Sequence, residues 1–482
     1  MALSRRHFLK TTVGLAAGGM IGGGVERVLS ETSEGGKRPN IVFILADDLG
    51  YGDLGCYGQK KIKTPNLDRM ATEGIRFVQA YAGSTVCAPS RSVLMTGQHT
   101  GHTRVRGNMC VRGGTVGYKG KRQVRRMNLT DQDRTVADVL REAGYRTCLI
   151  GKWHLEGSVP DAIPLNRGFD EFFGWQMWAE QTFRPSYYFP AFRLHNRQIV
   201  AVPENADGKR GLYETDLVFR QACEFIDRSA AGKQPFFLYL APIAPHDPLE
   251  SPDAGPYADE PWPANMKTYA AMVSYLDLGV GRVLESLKAA GIDQQTVVFF
   301  CSDNGARSSG SKPLTEVAQF FRSSGPLTGY KRDMYEGGIR VPMIVRWPGK
   351  IPAGTTSEAI CYFADFLPTA ADLAGITPPK EIDGVSVVPS LLGRKQDELT
   401  QRFLYWEFFF FGRGFQQAVR WGPWKAVRLA PDKPLELYNL VGDVGETKNV
   451  AREHPEIVRR IEEYLKTART ESENWPTTGA DG

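Results

Sequence analysis

Apolar residues along this chain fall into short continuous runs separated by amphipathic stretches. Ile41–Ala46 is apolar throughout, the pattern of a strand buried on both faces, and it ends in Asp47-Asp48. Tyr145 to Ile150 repeats the pattern and runs into Gly151-Lys152-Trp153-His154. Phe236 to Leu240 leads to Pro245-His246-Asp247, and Val297 to Cys301 ends in Ser302-Asp303-Asn304-Gly305. Pro342 to Trp347 supplies one more strand. Between these runs the period changes to that of helices. Thr64 to Gly74 has Thr as N-cap, Pro just inside, one apolar face and Gly after the end, and Thr135 to Gly144 follows the same grammar. A long helix is expected from Met266 to Ala290, stopped by Gly291. Alternating strands and capped helices predict an α/β fold with a large, mostly parallel sheet covered by helices on both faces.

The character changes near residue 395. Arg402 to Phe411 is dense in aromatics, Gln417 to Arg428 alternates like a surface strand, and Leu435 to Leu440 is short and turn-bounded. A polar helix over Pro455–Arg469 completes a small antiparallel C-terminal α+β unit. The expected division is 38–395 for the large domain and 396–470 for the small one. Residues 31–38 and the tail 471–482 have the composition of unordered chain.

In parallel sheets ligands bind beyond the carboxyl ends of the strands. Here Asp47, Lys152, His246 and Asp303 all lie at such ends, which predicts a shared site. A fifth segment joins them. Cys87-Ala88-Pro89-Ser90-Arg91 opens a helix expected over Ser90–Thr96, closed by Gly97. The start of that helix aims N–H groups and partial positive charge at Cys87, and Arg91 adds a planar fork of donors suited to an oxyanion. Asp47, Asp48, Asp303 and Asn304 form an oxygen-only set of the kind calcium and magnesium prefer.

Charge and cysteines narrow the reading. Ser4-Arg5-Arg6-His7-Phe8-Leu9-Lys10, followed by a weakly apolar glycine-rich stretch, is a twin-arginine export motif, so residues 1–30 are expected to be a cleaved signal. Its loss removes Arg5, Arg6, Lys10 and Arg27 against Glu26, taking the net charge from +5 to +2. That balance gives no case for nucleic acid as a partner. No later stretch has the apolar length of a membrane span. Seven cysteines without short repeated spacing argue against a disulfide framework or zinc ribbon, and Cys148 and Cys301 read as buried thiols.

These motifs together resemble the type I, formylglycine-dependent sulfatases of the alkaline-phosphatase-like superfamily, its bacterial arylsulfatase-like members in particular. The resemblance rests on Asn40–Asp48, the Cys87–Arg91 box, Gly151–His154, Ala244–His246, Ser302–Gly305, and Lys331 just before Tyr335–Pro342. It implies that Cys87 is oxidised to formylglycine by a formylglycine-generating or sulfatase-maturing enzyme. One hydroxyl of the hydrated aldehyde attacks sulfur, and the other then expels sulfate and restores the aldehyde. It further implies one calcium ion held by Asp47, Asp48, Asp303, Asn304 and modified Cys87. Arg91 would steady the hydrate and the carboxylates, and Lys152 and Lys331 would contact sulfate oxygens. His154 would assist elimination, and His246 would serve the leaving oxygen. With a twin-arginine translocon as partner, the protein would be periplasmic or extracellular, and Cys87 would be converted in the cytosol before its site closes.

Two other readings stand beside this one. A phosphate mono- or diesterase on the same fold usually needs a Ser or Thr nucleophile and an extra histidine ligand, whereas here Cys87 holds the slot and Asn304 follows Asp303. An exported calcium- or sulfated-glycan-binding protein would keep Cys87 unmodified. Gly101–Asn108 is similar to arylsulfatase A and N-acetylgalactosamine-6-sulfatase relatives, which implies aryl sulfate or sulfated carbohydrate substrates. Trp175, Trp178, Tyr187 and Tyr188 are candidates for the pocket mouth or for core packing. Arg104 and Arg106 could reach a substrate but read more readily as a solvated loop, and His99, His102 and His195 carry no assigned role.

Overall fold

The computed structural model describes residues 38–477 except 111, 120–121, 177–185, 309–311 and 411–413. The expected signal 1–30, Trp178 and the end of the tail lie outside the described residues.

Each apolar run becomes a strand of a ten-stranded sheet. Five strands at its centre run parallel, in the order Thr296–Ser302, Asn40–Ala46, Phe236–Ala241, Arg146–Lys152, Glu171–Trp175. On one side Met343–Arg346 joins antiparallel, followed by Ile75–Phe77 and Thr355–Ser357. On the other, Phe192–His195 and Gln198–Ala201 form an antiparallel edge. The sheet is therefore mostly parallel, with antiparallel members confined to its flanks.

The two-residue period of the central strand separates two cores. Ile41, Phe43 and Leu45 pack against Val93 and Leu94 of helix Cys87–Thr96, Val136 and Leu140 of Val136–Glu142, and Leu367 of Phe366–Leu373. Val42, Ile44 and Ala46 face helices Pro65–Thr72, Glu214–Ala230, Ala264–Ala289 and Lys312–Phe321. Cys148 and Cys301 are fully buried in this framework. None of the seven cysteines is in a disulfide.

Local signals held with small changes. Thr135 forms a capping box with Asp138. Thr64 precedes its helix but turns its hydroxyl to the Gly55 N–H instead (2.9 Å). The Cys87 helix begins at Cys87, one turn earlier than expected, with Pro89 still in its first turn, and ends on Gly97 at φ 70°. The C-terminal helix is Pro455–Leu465.

The small sheet departs further from expectation. Gln417–Arg428 is two strands, Gly414–Trp421 and Trp424–Arg428, in a four-stranded antiparallel sheet with Phe403–Phe410 and Glu436–Asn439. Its strands are largely buried, not surface-exposed. Leu404, Trp406, Ala418 and Val427 extend the core of the large domain. Tyr405, Val419, Ala426 and Leu437 cover Ile461 and Leu465 of the last helix. Alternation there separates two buried faces, which explains the aromatic density.

Candidate active site

Sheet register assembles the site. Ala46 pairs with Ser302, so the next residues of both strands meet: the Asp303 N–H donates to Ala46 O (3.0 Å) and the Asp48 N–H to Asp303 Oδ1 (3.2 Å). Asp48 adopts φ 68° and His154 φ 64°, left-handed conformations that non-glycine residues rarely keep without surrounding support. Gly151, at φ 108°, would place a Cβ 2.1 Å from Ala241 O, so only glycine lets this strand reach Lys152 beside its neighbour.

Helix Cys87–Thr96 points its N-terminus into the same space. Ser90 Oγ accepts from the Gly83 N–H (3.0 Å), and Asn108 Oδ1 accepts from the Ala88 N–H (2.9 Å), fixing the first turn. Cys87 Sγ lies 3.4 Å from Asp47 Oδ1 and 3.9 Å from Asp48 Oδ1, and Lys331 Nζ donates to it at 3.1 Å. Lys331 also donates to Asp48 Oδ1, and Lys152 donates to Asp47 Oδ2. Arg91, fully buried, directs Nε and Nη2 at Asp303 Oδ2 (3.1 and 2.7 Å) and Nη1 at Lys152 O (3.0 Å).

Buried charges persist only when paired, and here three carboxylates meet three cations. Burial pushes the Asp47 carboxyl up, but Lys152, His246, Arg91 and Lys331 pull it well below the usual carboxylate range. Asp303 goes the other way, to about 6, raised by burial and by Asp47 against the pull of Arg91. Burial, with Asp303 and Asp47 adding to it, pushes the Cys87 thiol up to about 12. A thiol held there is protonated at neutral pH and is a poor sulfur nucleophile. His154 is held well below its ordinary value by burial, Lys152 and Arg91.

All ten residues expected at the site are brought together. His246 stands closer to the acidic cluster than its expected role required: its Nε2 is 3.6 Å from Asp48 Oδ2. Ligand atoms of Asp47, Asp48, Cys87 and His246 lie within 4.8 Å of one another. Asp303 instead spends its oxygens on Arg91 and the Asp48 N–H, and Asn304 Nδ2 donates to Asp48 Oδ1 (2.8 Å). Asp48 Oδ2 and Asn304 Oδ1 are buried acceptors without a hydrogen-bond partner. Hard oxygens held without donors in a buried acidic cluster fit a divalent cation.

One neighbour was not singled out from sequence: Arg307 Nη1 pairs with Asp247 Oδ1 (2.9 Å) beside His246. Tyr188, a pocket-mouth candidate, donates its Oη to His246 O (2.6 Å). Nothing in a lone Arg307 or Asp247 marks it, since the pairing depends on loops far apart in the chain. Trp175 and Tyr188 are buried, with Lys152 Nζ 5.8 Å from the Trp175 ring centre. Arg104 pairs with Asp133 (2.6 Å). Arg106 is buried on Glu407 (3.0 Å) and is no solvated loop residue; its partner arrives from the small sheet. His99 and His102 stack on each other and bind Asp383 away from Cys87, and His195 is exposed at the sheet edge.

The small sheet also supports the Lys331 loop. Lys425 is fully buried and directs Nζ at Met334 O (2.8 Å), Glu446 Oε1 (3.0 Å) and Glu336 Oε1 (3.2 Å). Glu446 Oε2 accepts from the Glu336 N–H (2.7 Å), and Arg340 pairs with Glu336 from the other side.

Comparison with known proteins agrees with this geometry. The family described as Sulfatase matches residues 39–376, and that described as N-sulphoglucosamine sulphohydrolase, C-terminal, matches residues 329–471. N-acetylgalactosamine-6-sulfatase of Canis lupus familiaris is 34% identical over 415 residues, covering 81% of this chain and 72% of that protein. Arylsulfatase G of Rattus norvegicus is 33% identical over 397 residues, covering 74% and 70%. The solved structure of Ps i-CgsB in complex with k-i-k-neocarrahexaose is similar at TM-score 0.76 and 30% identity, over 92% of this chain and 96% of that one. With the Cys87 helix, acidic strand tips and paired lysines in one buried cluster, the chain belongs to the sulfatase family and is a sulfuric ester hydrolase.

Proposed function

We propose that this sulfatase removes sulfate from sulfated carbohydrates, using a formylglycine hydrate made from Cys87 and a calcium ion held by Asp47, Asp48, Asp303 and Asn304. The observation that carries the reading is the setting of Cys87: its Sγ is buried between Asp47, Asp48 and Lys331, beside acceptors without partners. Similarity to N-acetylgalactosamine-6-sulfatase, and to a structure bound to k-i-k-neocarrahexaose, supports a carbohydrate substrate.

When present, the ion and the hydrated aldehyde would supply a nucleophilic hydroxyl and a second hydroxyl able to release the sulfate. Lys152 and Lys331, which pair with Asp47 and Asp48, would direct their ammonium groups at sulfate oxygens and take up the charge that develops there. Arg91 holds Asp303 and Asp47 in place from beneath. His154 accepts a proton in the elimination step, and His246, at the open side of the cluster, hands one to the departing alcohol oxygen. Oxidation of Cys87 is the work of a separate maturing enzyme, and the Arg5-Arg6 motif supports export by a twin-arginine translocon to the periplasm or beyond.

The test is mass spectrometry of the tryptic peptide Phe77–Arg91, together with turnover of an aryl sulfate and a panel of sulfated mono- and oligosaccharides. The expected result is formylglycine at position 87, with turnover that disappears in Cys87→Ala. A fully active protein carrying only the thiol would overturn the nucleophile, and activity on aryl sulfate but no sulfated sugar would overturn the substrate class.

A further inference from the structure

Of the ten residues gathered at the site, nine are buried and His246 alone reaches solvent. Its side chain is 22% exposed, and exposure continues into Asp247 (29%) and Arg307 (17%) beside it. A sulfate ester enters with its sulfur toward Cys87, so its alcohol must emerge on the side that is open. That side is the one formed by His246, Asp247 and Arg307.

Two loops fixed against the cluster bring Asp247 and Arg307 together there. Ala244 O accepts from the Asp47 N–H (3.2 Å), the His246 N–H donates to Ile243 O (2.8 Å), and Tyr188 Oη holds His246 O from beneath (2.6 Å). On the other loop, the Gly305 N–H donates to Gly338 O (3.0 Å) and the Lys331 N–H to Ala306 O (2.9 Å), which sets Arg307 next to the Lys331 loop. Arg307 Nη1 then lies 2.9 Å from Asp247 Oδ1. That distance pairs the charges, yet Asp247 Oδ1 is a buried acceptor that no hydrogen bond among the described residues addresses. The His246 ring does not fill it: Nδ1 is directed at the Asp247 carbonyl (2.5 Å) and stands 3.5 Å from Oδ1. A buried carboxylate oxygen in this position calls for a donor.

We propose that Asp247 and Arg307 determine specificity by holding a ring hydroxyl of the sugar beside the sulfated position. The inference rests on the carbohydrate sulfatase reading and deepens it by naming the part of the alcohol that the enzyme recognises. A hydroxyl is donor and acceptor at once, so Asp247 Oδ1 accepts its hydrogen while the Arg307 guanidinium donates to its oxygen. The ion pair is neutral as a unit. It therefore favours a hydroxyl over a second sulfate or a carboxylate, either of which would set a further anion against Asp247. Asp247 follows His246, which faces the leaving oxygen, so the hydroxyl it reaches stands near that oxygen. An aryl sulfate without ring hydroxyls leaves Asp247 Oδ1 unmatched.

The test compares kcat/KM of the purified enzyme on 4-nitrophenyl sulfate and on the monosulfates of galactose and N-acetylgalactosamine. Asp247→Asn/Arg307→Gln removes both charges without changing the net charge. It is expected to lose about 100-fold on the preferred sugar sulfate, at least tenfold more than on 4-nitrophenyl sulfate, because two charge-assisted hydrogen bonds are weakened together. Arg307→Lys keeps the charge but not the planar fork, and is expected to lose severalfold on the sugar with the same bias. Among deoxy analogues of that sugar sulfate, one is expected to be turned over poorly by wild type, with no further loss in the double variant. Thermal melting checks that the variants fold, and Arg307→Lys carries the test where the double variant does not. Equal losses on sugar and aryl substrates, or no loss on either, would overturn the proposal while sugar turnover by wild type keeps the carbohydrate reading. A wild type that turns over 4-nitrophenyl sulfate and none of the sugar sulfates would overturn that reading itself.

Discussion

Lys425→Met removes a buried cation that the small sheet inserts behind the Lys331 loop. Lys425 touches Glu446, Glu336 and the Met334 carbonyl, and none of these groups reaches water. Glu336 retains Arg340, but Glu446 is left beside Glu336 with its charge uncompensated. Burial already pushes the Glu446 carboxyl up to about 7 with Lys425 in place, so the variant pushes it further and protonates it. Breaking a buried pair by deleting one partner costs about 3–5 kcal/mol. With a melting entropy of about 2.1 cal/mol/K per residue over roughly 440 residues, that lowers the midpoint by ~3–5 °C. Met334 lies three residues from Lys331, so kcat on an aryl sulfate should fall by about tenfold or more through misplacement of that ammonium. Calorimetry and steady-state kinetics read both effects, and Lys425→Met/Glu446→Gln should regain part of the lost stability by removing the stranded carboxylate. A single variant that melts within about 1 °C of wild type at unchanged kcat would refute the argument. A double variant less stable than the single one would do so too.

Lys331→Met should lower kcat by about 10²–10³ while leaving the modification state of Cys87 unchanged in the peptide mass spectrum. Glu214 is buried 3.8 Å from Arg193, and burial raises its carboxyl to about 7. A value raised above the unfolded one means stability is full below about pH 4 and is lost as pH rises through 7. Glu214→Gln should therefore flatten the stability profile across that window and gain up to ~3 kcal/mol at pH 8, read by denaturant titration; an unchanged slope would count against it. Chelation of the native enzyme should lower the melting midpoint, with calcium restoring it, since an ion present at about 100 times its Kd adds ~2.7 kcal/mol. Restoration by magnesium but not calcium would correct the identity of the ion.

Much of the site was legible because its residues sit where the hydrophobic period stops. Asp47, Lys152 and Asp303 end apolar runs, and a parallel sheet gathers such ends on one side. Cys87 and Arg91 were legible from a helix start, although the first turn begins three residues earlier than expected. What escaped depends on pairing between distant segments. Arg106 looked like a loop cation because Glu407 lies 301 residues away. Gln417–Arg428 looked half-exposed because alternation reports two environments without saying that both are buried. The closeness of His246 to Asp48 depends on the loop after Ala241, where no hydrophobic period runs.

The chain order of the site has a consequence for protein synthesis. Cys87 and Lys331, in contact in the folded protein, are separated by 244 positions. At about 5–20 residues per second, the ribosome takes roughly 10–50 s to pass from one to the other. The strand carrying Asp303 is absent for most of that interval and the loop carrying Lys331 for all of it, so the Cys87 segment lacks partners that bury it in the folded protein. Once they arrive, Cys87 is buried beside Asp47, Asp48 and Lys331. Translation speed between these codons thus sets a minimum time during which Cys87 is open to any enzyme that must reach it.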